Sequence, residues 1–483
     1  MTILAPIRFG PTRRGLILGA AAMGAGLAAP RILRAQDRMP ELRAAPATAQ
    51  LTPPEYPATP VWAYSTDGAG TVPGPEIRVR QGHRVRYRLV NDLPQSTAVH
   101  WHGIRIRNAM DGAAPLTQAP VPPGETFDYD FIAPDPGTYW YHSHDRGYEQ
   151  VARGLAGPLI VEDRAPWLGE EGAATREIVL VVDDWLLSPD ATIHEESMGA
   201  LGLAAHGGRI GNTATVNGRD FPEYPLRPVE RVRLRIINAA NARVMPLALP
   251  DLSARLIALD GHPVEPRDGE FVTLGPAQRA DVVIDARRTP GARAALMVDV
   301  GNGEWMEIAA FPHADEPALP ESPADVRPLP SWGSLKAPDL SEARRVTLLM
   351  EGGAMRGLSG AMYHGEQLDA QALAEKGMVW AFNGVAHGMD KPMFRAPLWR
   401  TVHIALANAT AWPHAIHLHG HHFTVLRRNG EPDPHRDVRD TVLVGPEETA
   451  EIAFVADNPG KWMIHCHMLE HQEAGMMAFF EVM

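Results

Sequence analysis

Cysteine is nearly missing from this 483-residue chain, which holds one, Cys466. A single thiol cannot close an intramolecular disulfide, so no framework of internal bridges holds the protein together, whatever compartment it occupies. Acid is missing from the first 35 residues, where five arginines stand. Once those arginines are set aside, the net charge of −13 becomes −18, a balance that excludes nucleic acid as an expected partner. An apolar run able to span a bilayer is lacking too, because Leu16 to Ala29 is too short. No low-complexity tract interrupts the chain, and 45% hydrophobic residues suffice for packed cores.

What is present begins with a targeting pattern. Arg13 and Arg14 precede the apolar run, and small residues near Ala35 offer a cleavage site, so residues 1–35 read as a twin-arginine signal. That reading implies the Tat export machinery as a partner and a periplasmic mature protein. Forty-four glycines and forty-four prolines favour turn-rich β structure. A long-period repeat supports it. "RVRYRLVN" (84–91), "RVRLRIIN" (231–238) and "TVHIALAN" (401–408) alternate at period two, and each is followed by a turn, a strand, a turn and another strand. The expected fold is all-β, three consecutive sandwiches over residues 45–165, 174–314 and 342–483, with a Pro-rich linker at 315–341 running extended over the surface. The middle copy lacks histidines where its neighbours carry them, so it is expected to act as a spacer.

The histidines are clustered. "HWHG" (100–103), "YHSH" (141–144), "HLHG" (417–420) and "HCH" (465–467) each place two imidazoles two residues apart. On a strand, i and i+2 share a face. Random placement at this composition gives about one such pair, and four imply a metal cluster of imidazole nitrogens, which copper binds most tightly among divalent first-row ions. If His465 and His467 face that cluster, Cys466 faces away, and its sulfur belongs to a second site. His414, His471 and Met476 complete a set of two histidines, one thiolate and a weak axial thioether, the ligands of a blue-copper centre; zinc accepts the first three but makes no use of the methionine.

These motifs, in this order on three sandwiches, resemble the multicopper oxidases, most of all the three-domain bacterial laccases and periplasmic copper oxidases. The resemblance covers residues 50–483. It implies cupredoxin-like Greek-key domains and four copper ions. His414, Cys466, His471 and Met476 would bind the type 1 ion, His100 and His417 the type 2 ion, and His102, His142, His144, His419, His465 and His467 the type 3 pair. Electrons from a phenol, an aromatic amine or Cu(I) would pass through Cys466 to His465 and His467 and reduce O2 to water. A monomer is expected. Asp111 matches the family's acidic residue near the cluster. Gln472 stands where many bacterial relatives have a glutamate, so Glu473 is expected to substitute in proton delivery.

The donor edge is expected over His414. In the cuprous-oxidase branch an acid and a methionine precede this histidine, and here those places hold Thr410 and Trp412, which favours an aromatic donor. Met350, Met355, Met362, Met378, Met389 and Met393 are spread thinly enough to be packing residues. His387, His421, His422 and His435 read as surface histidines or as supports of the ligands. Cuprous oxidation for copper tolerance and a copper-free envelope protein of the same fold are the alternatives.

Overall fold

Each of the three repeated segments forms a strand with the same neighbours. In the computed structural model, Arg84–Asn91 pairs parallel to Glu41–Ala49 and antiparallel to Thr126–Ile132. Arg231–Asn238 pairs parallel to Arg176–Trp185 and antiparallel to Arg279–Asp285, and Thr401–Asn408 does the same with Arg344–Gly352 and Thr449–Val455. The described residues are 39–164, 167–287, 289, 291–301, 303–319, 325–333 and 335–483. The expected export signal, including Arg13, Arg14 and Ala35, lies outside them. No helix among the described residues is long and apolar enough to cross a membrane.

Every repeat strand belongs to one sheet of a two-sheet unit, so the architecture is all-β with successive cupredoxin-like sandwiches. In the first, the opposing sheet orders Ile77–Arg80, Ala156–Glu162, Gly137–Ser143 and Val99–His102. In the last, it orders Phe394–Ala396, Met477–Val482, Gly460–Cys466, His414–Leu418 and Thr441–Val444. All four histidine pairs sit on or just beyond strands of these two sheets. Between each pair of sheets lies an apolar core, built in the first sandwich around Trp101, Tyr129 and Tyr141 and in the last around Trp462, Phe454 and Phe480.

One side chain closes the same corner in all three units. The repeat strands end in Asn91, Asn238 and Asn408, each buried. Asn91 Nδ2 donates to the carbonyls of Gln95 and Val121, Asn238 Nδ2 to those of Arg243 and Leu274, and Asn408 Nδ2 to those of Trp412, Val444 and Gly445. Their Oδ1 atoms accept from the amides of Leu93, Ala240 and Thr410, two residues on. The side chain thereby satisfies buried main-chain groups where the strand leaves its sheet.

The middle sandwich differs in what its strand faces. Arg231, Arg233 and Arg235 alternate along it and are all buried. They pair with Asp285, Asp281 and Glu177, and Arg235 also donates to Thr138 Oγ1 of the first sandwich at 2.9 Å. Burying three guanidiniums demands such partners. The Pro-rich segment also departs from a simple surface path. Val326 and Leu329 are buried with Trp167 and Ile257, and the Trp332 ring lies 3.8 Å from that of His262.

Candidate metal centre

Strand pairing brings the histidine pairs together. His100 stands opposite His142 in the first sandwich, and His417 stands opposite His465 in the last. The eight imidazoles meet where these two sheets face one another, all buried. Their nitrogens converge in three groups within metal-ligand reach: His102, His142 and His467; His144, His419 and His465; and His100 and His417 with His102.

Outer nitrogens fix the ring orientations. His100 Nδ1–H donates to Asp111 O at 2.7 Å and His417 Nδ1–H to Asp440 O at 2.9 Å, which leaves both Nε2 atoms as buried lone pairs without a hydrogen-bond partner among the described residues. His142 and His465 likewise use Nδ1–H on the carbonyls of Ser143 and Cys466, both at 2.9 Å. Oriented imidazoles of this kind are what a metal requires. Burial holds His100, His142 and His465 well below the ordinary imidazole range and His144 at about 4, so these four are neutral donors at neutral pH.

Two carboxylates touch the cluster. Asp111 Oδ2 accepts from His419 Nδ1 at 2.8 Å, while its main-chain carbonyl holds His100. Gly112 makes this possible, with φ +78° and an added Cβ only 1.8 Å from Val99 O. Gly112→Ala is therefore expected to cost about 1–3 kcal/mol from left-handed backbone alone and to pull Asp111 off His419; urea unfolding and copper content check it. The second carboxylate, Asp440, was not among the sequence candidates. Its Oδ1 accepts from His102 Nε2 at 3.2 Å, and Arg279 grips it from the middle sandwich at 2.9 and 2.6 Å. Arg279 Nε also donates to Thr138 O at 3.1 Å, so all three sandwiches meet at this pair. The middle one is thus no mere spacer.

Glu473 is not brought to the imidazoles. It ends the helix Leu469–Glu473, exposed as a residue, while partial burial of its carboxyl raises it above the ordinary range and Arg146 opposes that shift. Helical geometry explains this, because two residues beyond His471 the helix has turned its side chain outward. Gln472 is buried, with Oε1 unpartnered among the described residues.

Cys466 faces the other way, as alternation requires. Its Sγ lies 3.5 Å from His414 Nδ1 and 3.7 Å from His471 Nδ1, with the two nitrogens 3.1 Å apart. Three such donors in a plane around one ion at bond lengths of 2.0–2.3 Å would stand about 3.5–3.7 Å apart, so the two sulfur–nitrogen distances fit a trigonal metal while the nitrogens stand closer together. Met476 is fully buried in the same core, and main-chain bonds from Cys466 N to Met476 O and from Met476 N to His471 O tie it to the site. Burial pushes the thiol up to about 12, so metal binding must displace its proton.

The expected surface position of His414 is overturned. His414 is fully buried, as is His471, and its Nε2 meets Thr410 Oγ1 at 2.8 Å, so Thr410 fixes the His414 ring. The outward nitrogen belongs to His471, which donates to the carbonyl of exposed His206. His421 and His422 are buried as well: His421 packs among Phe454, Trp462 and Phe480, and His422 Nε2–H donates to Gly103 O at 2.7 Å. His387 is half-buried and His435 exposed.

Comparison with known proteins agrees with this geometry. Multicopper oxidase family profiles match residues 47–166, 176–302 and 362–483. The chain is 31% identical to multicopper oxidase MmcO of Mycobacterium tuberculosis, over 89% of this chain and 86% of that one. A solved multi-copper oxidase from Pseudomonas thermotolerans superposes with a TM-score of 0.75 at 35% identity, covering 92% of this chain and 98% of the other. One from Campylobacter jejuni described as a metallo-oxidase superposes at 0.73 with 25% identity, covering 92% and 90%.

Proposed function

The chain belongs to the multicopper oxidases, copper-dependent oxidoreductases that use O2, and from that premise we propose that it is a laccase-like oxidase of phenolic and aromatic amine donors. The observation that carries the reading is the strand ending in His465 and Cys466, which presents a thiol to one metal-ligand set and, one peptide unit away on either side, imidazoles to another. Copper held in these sets would accept single electrons from the donor and deliver four of them to O2. His414, Cys466, His471 and Met476 would hold the type 1 ion, His100 and His417 the type 2 ion, and His102, His142, His144, His419, His465 and His467 the type 3 pair, four ions in all. Exported through the Tat machinery, the protein would work as a periplasmic monomer.

The residues around the cluster have separate tasks. Asp111 stands between His100 and His419 and carries protons inward, while Asp440 orients His102 and His417 and is itself held by Arg279. Neutral imidazoles and a buried wall exclude bulk water from the reacting centre. Asp111→Asn keeps the shape and loses the proton. It is expected to lower O2 uptake about 100-fold, as loss of a general acid does, while donor reduction of the blue colour keeps its rate; Glu473→Gln is expected to change neither.

Cuprous oxidation is the second reading, favoured by the similarity to the Campylobacter metallo-oxidase and by Met355, which is 86% exposed. Oxygen uptake with a phenol and Cu(I) in competition decides. Preference for the phenol supports the laccase reading; preference for Cu(I) replaces it with copper detoxification; no uptake with either favours a copper-free envelope protein.

A further inference from the structure

The outward edge of His471 is covered. Its Nε2–H donates at 2.7 Å to the main-chain carbonyl of His206, in a turn that follows the short helix Leu201–Ala204 of the middle part of the chain. Three successive carbonyls of this turn are held from the last sandwich. Ala204 O accepts from the Trp380 indole at 2.7 Å, Ala205 O from the Ala354 amide at 2.5 Å, and His206 O from His471. Trp380 itself lies against the thiol site, with ring centroids 4.5 Å from His471 and 5.0 Å from His414. Lifting the turn would break three bonds together.

Two rings stand on the outer side of the turn. The exposed His206 imidazole meets the half-buried Trp412 indole edge-on at 5.4 Å. Gly207 leaves that indole uncovered, since an added Cβ would rest 3.5 Å from its ring. Of the carboxylates, Glu447 pairs with Arg356, and Glu470 is buried behind the turn, with Oε1 on Asn241 at 2.8 Å and Oε2 without a hydrogen-bond partner among the described residues. Such a corner suits a neutral planar aromatic, which can stack on the rings, rather than a hard cation, which needs oxygen ligands.

We propose that donors dock on the corner formed by His206, Gly207 and Trp412 and never touch His471. His206 and Trp412 then set donor selectivity, and the His206 carbonyl, through its bond to His471, is the last link by which the electron enters. The inference rests on the oxidase reading above. Each phenol loses one electron inward and its hydroxyl proton to solvent, becoming a phenoxyl radical; four such events, with four protons, convert one O2 to two waters.

Calorimetric binding of 4-nitroanisole, a planar aromatic that the protein is not expected to oxidise, separates docking from turnover in the copper-loaded protein. Trp412→Ala and Gly207→Leu are each expected to weaken this binding about threefold to tenfold, the equivalent of one ring–ring contact, and to raise the KM for a phenol to match, with the loss in KM rather than kcat and the blue absorption retained. Unchanged binding and KM in both variants would overturn the docking corner, and so would loss of the blue absorption, which would make these residues supports of the thiol site. A wild-type protein that consumes O2 with ferrocyanide but with no phenol would defeat the donor class proposed above, and nitroanisole binding would still decide the corner by itself.

Discussion

Cys466→Ser is expected to remove the blue absorption and to lower O2 uptake with every donor by more than ~100-fold, beyond the 10- to 100-fold loss usual when a residue that merely supports a ligand is changed. The thiol reaches both histidine nitrogens of its site, at 3.5 and 3.7 Å. A serine oxygen is shorter and harder than a thiolate and binds copper poorly beside two imidazoles. His465 and His467 point to the opposite side of the strand, so their cluster keeps its metal. Metal analysis should therefore find one copper fewer per chain, not none. Retained uptake in the variant would place electron entry elsewhere; loss of all copper would mean that the two sites do not load independently.

Arg279→Met carries the largest expected cost in stability, about 3–5 kcal/mol, the usual penalty for stripping a buried charge of its partner. Arg279 and Asp440 are both fully buried and joined by two hydrogen bonds, and Asp260 stands 3.6 Å away. Removing the guanidinium leaves Asp440 uncompensated beside His102. It also frees Thr138 O of the first sandwich. The double variant Arg279→Met with Asp440→Leu restores part of the loss, because the stranded charge goes with its partner. Denaturant unfolding of both proteins checks this; equal losses in the two variants would show that the pair contributes only packing.

How much could be read from the chain alone depended on burial and on sequence distance. Arg84–Asn91 shows one buried face in its burial pattern, and its alternation is plain in the residues. Gly137–Ser143 is buried along its whole length, as a strand is when the core lies on one side and the metal cluster on the other, so its hydrophobic pattern is nearly continuous and the histidine spacing had to locate it. The clustered histidines were legible because paired imidazoles on strands are rare, and the structure brings them within metal-ligand reach of one another. Asp440 was not, since its partners His102 and Arg279 lie 338 and 161 residues away, and one aspartate in "VRDTVLV" carries no pattern. His206 acts through a main-chain carbonyl, which every residue possesses; no side chain could have announced it. Glu473 stands at the end of the helix that begins after Met468, two residues beyond His471, so closeness in sequence to that histidine does not by itself fix how near its carboxyl stands to the imidazoles.

The asparagine that closes each sandwich corner bears on where the chemistry came from. Asn91 and Asn238 bind main-chain groups, and Asn408 does the same work while also accepting from the Thr410 hydroxyl, which in turn meets His414. A corner that all three sandwiches share thus also fixes, in the last, the ring of His414. Because the middle sandwich has the same asparagine corner, a thiol and two histidines could be grafted there by changing side chains alone on a scaffold already sound.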